Sequence, residues 1–289
     1  MVDASSQKTL SRSITQGGGV MAIIRPVLRY PGGKYLMAKW IVSHFPSHNL
    51  FVEAFGGAAS VLLAKQRSNG EIYNDLNGDV VNVFRVLRDP TSSKHLQKLL
   101  RLTPFSIDEY KSCYEPVNEP IEKARRMIFR SFAGIGSDSV FRNNGFRYSK
   151  HNKSGTVPAQ GWMRFPDAIN SFTKRLQGVL INNLDALDII QKYDGTDTLF
   201  YLDPPYLGST RSTESVRYDH EMLGSISHEL LAELLHSIKG MIILSGYTSP
   251  LYEKLYPDWR VMKKVSKSQI GSKRVECLWL SPNIQTTLF

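Results

Sequence analysis

Cysteine is nearly absent from this 289-residue chain: Cys113 and Cys277 are the only two, and they lie far apart. Without a CxxC pair, neither a zinc ribbon nor a disulfide scaffold is supported. No HExxH motif occurs among the seven histidines. His228 and His236 fall two turns apart on one predicted helix and read as ordinary core or surface residues, so no metal is expected. Long apolar runs are missing too. Nothing approaches the roughly 20 residues of a membrane span, and the N-terminus has no apolar signal-peptide segment. The expectation is a cytoplasmic protein that touches no membrane. Glycine (21) and proline (14) are too sparse for a fibrous or disordered chain. Acidic residues are outnumbered, 26 Asp and Glu against 36 Lys and Arg, giving a formal charge of +10. Such an excess favours polyanionic partners without proving one.

What is present is an α/β pattern. Residues 1–22 are rich in Ser, Thr, Gln and Gly and read as a flexible tail. Next, the glycine turn Tyr30-Pro31-Gly32-Gly33-Lys34 leads into a helix with Leu36, Trp40, Ile41 and Phe45 at near-helical spacing. The segment 49–53 reads as an apolar strand ending in Glu53. The turn Phe55-Gly56-Gly57-Ala58-Ala59 then leads into a helix, and a second strand follows over 71–75, ending in Asp75. Strand, small-residue turn, helix and strand ending in Asp open a parallel sheet. Residues 89–178 read as mainly helical, with strand signals resuming at 179–183, 198–203 and 241–245. The simplest architecture is one Rossmann-like, doubly wound domain, formed by 23–88 and 179–289. A helical insertion spanning 89–178 interrupts it.

The most specific motif is Asp203-Pro204-Pro205-Tyr206, at the carboxyl end of a predicted central strand, where open α/β sheets bind ligands. A carboxylate at Asp203 and the carbonyl of Pro204 can accept both hydrogens of an aromatic amine. That pairing draws the nitrogen toward tetrahedral geometry and localises its lone pair toward a methyl donor. Prolines fix φ and supply no competing N–H, and the Tyr206 ring offers a stacking face for an extruded base. The Phe55–Ala59 turn admits close ligand approach near a helix N-terminus, and Asp75 sits where a carboxylate can accept ribose hydroxyls. A nicotinamide dinucleotide would use the same geometry, but the GxGxxG pattern is not there. Lys34 follows two glycines without completing a Walker A motif; its ammonium suits a carboxylate of a cofactor or of the active site.

In their order along the chain, these residues resemble the Dam-type, D12-class adenine-specific DNA methyltransferases. The resemblance runs from about Arg29 to Asn283. It takes in Phe51-Val52-Glu53-Ala54-Phe55-Gly56-Gly57, Asn74-Asp75-Leu76-Asn77, Leu244-Ser245-Gly246-Tyr247 and Val275-Glu276-Cys277-Leu278-Trp279-Leu280. It implies S-adenosylmethionine as methyl donor, S-adenosylhomocysteine as product and N6 of adenine in duplex DNA as acceptor, with no obligate protein partner. It further implies a cofactor pocket of Tyr30, Lys34, Phe55, Gly57, Asp75, Asp185 and Asp203, and catalysis at Asp203, Pro204, Pro205 and Tyr206, with Asp203 touching both cofactor and base. Three positions depart from the family pattern: Ala54 replaces a usual proline, Ala59 a common glycine and Tyr30 a frequent tryptophan.

By position, the insertion resembles the family's target-recognition domain. Its basic residues Arg125, Arg126, Arg130, Arg142, Arg147 and Lys150, with Asn144, are interleaved with aromatics, a combination suited to phosphate neutralisation and base stacking. Residues 141–148 read as a hairpin around Asn144-Gly145. Two other functions use the same residues: methylation of RNA or protein by the same Asp-Pro-Pro-Tyr chemistry, or DNA binding without catalysis.

Overall fold

A computed structural model of the chain describes residues 25–148, 157–205, 225–267 and 273–284. Its centre is a seven-stranded sheet in the order β3-β2-β1-β4-β5-β7-β6. Five strands run parallel: β1 (Leu50–Glu53), β2 (Gly70–Asn74), β3 (Val179–Asn182), β4 (Thr198–Leu202) and β5 (Met241–Gly246). β6 (Arg260–Lys267) and β7 (Lys273–Leu280) form an antiparallel pair, and β7 joins β5 antiparallel. The order reverses between β1 and β4, the switch point at which such sheets open a crevice.

The sheet is covered on both faces, so its central strands carry unbroken apolar runs. All five residues of β4, Thr-Leu-Phe-Tyr-Leu, are buried. Successive side chains alternate between faces. Phe51, Tyr73, Leu199, Tyr201 and Ile243 enter one core, whereas Val52, Ile72, Phe200, Ile242 and Leu244 enter the other. The second core is closed by α9 (Ala186–Lys192), α10 (Ser225–Ser237) and α11 (Pro250–Leu255), through Ile189, Leu231 and Tyr252 among others.

The first core continues without a break into the insertion. Val80 and Phe84 of α3 (Gly78–Arg88), Leu96 of α4 (Pro90–Leu102), Phe129 of α6 (Pro120–Ala133) and Phe172 of α8 (Ile169–Leu176) belong to one buried cluster. α6 packs directly on α3. Local rules explain its ends: Glu119 caps it by accepting from the backbone N–H groups of Ile121 and Glu122, and Pro120 occupies the first turn.

Two expectations are corrected. The first helix, α1, spans only Ala38–Val42, and Leu36 lies outside it, 88% exposed. Ile41 is buried, and Trp40 and Phe45 pack partly buried against the first core, so the apolar spacing holds from Trp40 onward. Residues 141–148 do not form a self-paired hairpin. Segment 145–147 pairs instead with 133–135 at the end of α6: Ile135 N–H donates to Gly145 O and Arg147 N–H to Ala133 O, each at 2.9 Å. Gly145 has φ +99° and supplies a turn, as its Asn-Gly context suggests, but the partner strand is a different one.

Candidate active site

Parallel register places the strand ends side by side. Glu53 of β1 is level with Tyr73 of β2 and Tyr201 of β4. Two residues beyond those tyrosines come Asp75 and Asp203, so both aspartates reach the carboxyl edge of the sheet flanking the turn after β1. A cavity of about 420 Å³ opens there, within the size range of small-molecule sites. It is lined by Tyr30, Lys34, Phe55, Gly57, Asp75, Asp185, Asp203 and Pro205. The structure thus brings together every residue of the expected cofactor set. Pro204 is buried beside them, and Tyr206 lies outside the described residues.

Lys34 holds the centre. Its Nζ is 2.9 Å from Asp203 Oδ2 and donates to Gly32 O at 2.8 Å. Burial works to lower the pKa of this ammonium, but Asp203, Tyr201 and Glu276 around it work the other way and the net shift is upward. A permanent cation therefore backs the carboxylate at position 203.

The loop after β1 is built by its neighbours. Asp75 Oδ2 accepts from Gly57 N–H at 2.8 Å, and Asp75 Oδ1 from Asn77 N–H at 2.8 Å. Tyr73 OH donates to Gly57 O at 2.8 Å. The two glycines are required by packing against tyrosines. A Cβ on Gly56 would lie 2.2 Å from the Tyr73 ring, and one on Gly57 (φ +46°) would lie 3.0 Å from the ring of Tyr30. Ala59, the one described non-glycine residue with positive φ (+52°), starts α2 (Ser60–Ala64). This is the position where glycine is common in the family. Asp185 Oδ1 accepts from Leu187 N–H at 2.8 Å, capping α9 while lining the cavity.

Two further residues belong to this site beyond the expected set. Glu53, 2% exposed, lines the cavity and accepts from Leu62 N–H at 3.1 Å. Desolvation, assisted by the charge of Asp203 and opposed by backbone donors, pushes its carboxyl up to about 8. As a strand-terminal carboxylate like Asp75 and Asp203, it was open to the same strand-end argument. Asn74, fully buried, donates to Ala54 O and Leu184 O at 2.9 and 3.0 Å and so ties three strand ends together. It belongs to the segment Asn74-Asp75-Leu76-Asn77 that carries the family resemblance, without a role assigned to it there. Among the described residues, no group of three or more His, Cys, Asp or Glu is placed to hold a metal ion, and no helix is long and apolar enough to cross a membrane.

The basic residues of the insertion divide. Arg125 is 8% exposed and bonded to Glu109 and Glu122 at 2.6 Å each. It is a structural cation, which corrects its expected place on a DNA-facing surface. Arg126 is bonded to Glu122 at 2.7 Å. Arg130 donates to Cys113 O and lies over the Tyr114 ring. Arg142 and Asn144 are exposed, Arg147 is half-buried, and Lys150 lies outside the described residues.

Sequence comparison agrees with this geometry. The profile of the D12 class N6 adenine-specific DNA methyltransferases matches residues 30–270. The type II methyltransferase M1.LlaDCHI of Lactococcus lactis subsp. cremoris is 23% identical over 270 residues, 86% of this chain and 90% of that protein. The type II methyltransferase M.MjaIII of Methanocaldococcus jannaschii is 24% identical over 86% of this chain and 94% of its own length. A DNA adenine methylase of Vibrio cholerae serotype O1 is 28% identical over 195 residues, 63% of this chain and 65% of its own. The chain belongs to the D12 class of N6 adenine-specific DNA methyltransferases.

Proposed function

We propose that the protein transfers a methyl group from S-adenosylmethionine to the N6 amino group of an adenine flipped out of a specific duplex DNA sequence. The observation that carries this reading is the Lys34–Asp203 pair at the end of β4. It opens into the same cavity as Gly57, Asp75 and Asp185.

The residues present suit the donor. A carboxylate accepts up to about four hydrogen bonds, so Asp75 can hold the loop and still receive ribose hydroxyls. Gly57 leaves room for the Tyr30 ring at the cavity, and Asp185 stands at its rim beside the N-terminus of α9. When bound, S-adenosylmethionine supplies an electrophilic methyl group on a positively charged sulfur. The chain's own contribution is orientation and electrostatics. Asp203 and the Pro204 carbonyl accept the two N6 hydrogens, which concentrates the nitrogen lone pair on the side facing the donor. As the nitrogen gains positive charge, the carboxylate of Asp203 stabilises it, and Lys34 keeps that carboxylate in place. An adenine inside a duplex cannot reach a half-buried aspartate at the sheet edge, so the base must be extruded. Tyr206 is the proposed stacking partner. Residues 89–178 are the proposed recognition insertion, with Arg130, Arg142, Asn144, Arg147 and Lys150 as its DNA-facing candidates.

The test is transfer of labelled methyl from S-adenosylmethionine to duplex DNA, RNA and protein in competition, followed by modification-sensitive sequencing of DNA from expressing cells. The expected product is N6-methyladenine in one sequence context. Label in RNA or protein instead would overturn the proposal.

A further inference from the structure

Several guanidinium groups of the insertion are matched to carboxylates, but Arg147, at its seam with the cavity, and Arg29, just outside it, are not. Arg29 directly precedes Tyr30, a cavity residue. Arg147 follows Gly145 in the segment paired with the end of α6. Both converge on Phe132: the Arg29 guanidinium lies 5.6 Å from its ring centroid, and Arg147 Nη1 donates to its carbonyl at 3.3 Å. The backbone fixes each arm, Arg29 N–H on Ser131 Oγ at 3.4 Å and Arg147 N–H on Ala133 O at 2.9 Å. Each guanidinium is half-buried, and among the described residues neither has a carboxylate partner. Burial, with Arg147 adding like-charge repulsion, brings Arg29 down to about 10, and burial lowers Arg147 as well. Two desolvated, mutually repelling cations without an acid are costly to the folded chain alone. They fit a ligand that brings negative charge between them.

We propose that Arg29 and Arg147 form a clamp for one phosphodiester of the substrate DNA, the linkage beside the target adenosine. A phosphodiester offers two non-bridging oxygens to two planar donor forks. Tyr30 ties the clamp to the cavity, because its ring packs edge-on against Phe141 at 5.6 Å, in the same turn that carries Arg147. In the proposed complex, the sugar-phosphate of a base seated against Asp203 lies at this seam. The clamp positions the strand and reads no base. The inference rests on the DNA methyltransferase reading above.

The test uses the intact protein, a duplex containing the sequence that the wild type methylates, and the same duplex with a single methylphosphonate on either side of the target adenosine. Binding is measured by anisotropy across a salt series, with S-adenosylhomocysteine present. Arg29→Met is expected to reduce the slope of log affinity against log salt by about one. One methylphosphonate position should weaken the wild type in the same way and weaken the variant less than the wild type. Relief of repulsion should leave the melting temperature of Arg29→Met at or above the wild-type value, a result that a structural arginine would not give. Additive losses from the variant and from every methylphosphonate position, or an unchanged slope, would overturn the clamp while leaving the methyltransferase reading standing. Absence of methylated adenine in any DNA exposed to the wild type would overturn both.

Discussion

Lys34 and Asp203 stand 2.9 Å apart with little access to water, so each depends on the other. Removing one partner of such a pair leaves an uncompensated buried charge. Asp203→Ala should lower kcat by on the order of 10²–10³-fold or more, the scale of losing one preorganised electrostatic group. Calorimetry with S-adenosylhomocysteine should separate that loss from cofactor binding, and a variant of undiminished kcat would refute the assignment. Glu53 makes a prediction about pH. Its carboxyl titrates near 8 in the fold but near the ordinary carboxyl value once unfolded. Between those values the unfolded chain has released a proton that the folded one keeps. Stability from this group is therefore fully present below the ordinary carboxyl pKa and declines as pH rises toward about 8. Glu53→Gln should flatten that part of the stability profile, measured as denaturant midpoints over the range. A parallel decline in wild type and variant would show that Glu53 is not its source.

At the scale of elements, the turns after β1, β2 and β4 make the site, and small residues there are set by neighbouring rings. Gly56→Ala puts a methyl group 2.2 Å from the Tyr73 ring and 2.7 Å from Asn74 O, where backbone cannot yield. The expected result is lost S-adenosylhomocysteine binding together with a lower melting temperature. Gly57→Ala meets only the Tyr30 ring, at 3.0 Å, and should weaken binding with a smaller stability loss. Beneath the site, Glu71 of β2 joins Lys65 at 2.7 Å and Arg175 of α8 at 2.6 Å, all three nearly inaccessible. Glu71→Ala would strand two buried cations and should cost about 3–5 kcal/mol in urea unfolding. A cost below about 1 kcal/mol would mean that the pair is hydrated or rearranges. The parallel strands β1, β2 and β4 were legible in the sequence because an apolar run ending in a carboxylate is a local signal, and β5 because its apolar run is unbroken. The β6–β7 pair was not, since its strands mix lysines with apolar residues at the sheet edge. Nor was the pairing of 145–147 with 133–135: an Asn-Gly turn marks a reversal without naming the partner strand. The ion pairs of Arg125 and Arg175 are likewise tertiary facts, because sequence counts charges but not which of them meet.

Across the whole molecule, the insertion and the sheet share one buried core, with Phe51, Tyr73 and Tyr201 of the sheet and Phe129 and Phe172 of the insertion in one cluster. The net charge of +10 understates how unevenly the cations are employed. Arg125 and Arg175 are consumed by internal carboxylates, whereas Arg29 and Arg147 are not. Composition indicated a polyanionic partner, and only the folded chain shows which cations are left to meet one. The most direct measurement of the central claim is methyl incorporation from labelled S-adenosylmethionine into duplex DNA by wild type and Asp203→Ala, with the modified nucleoside identified. The account predicts N6-methyl-2′-deoxyadenosine from the wild type and none above background from the variant. Label in another base, or equal incorporation by both proteins, would contradict it.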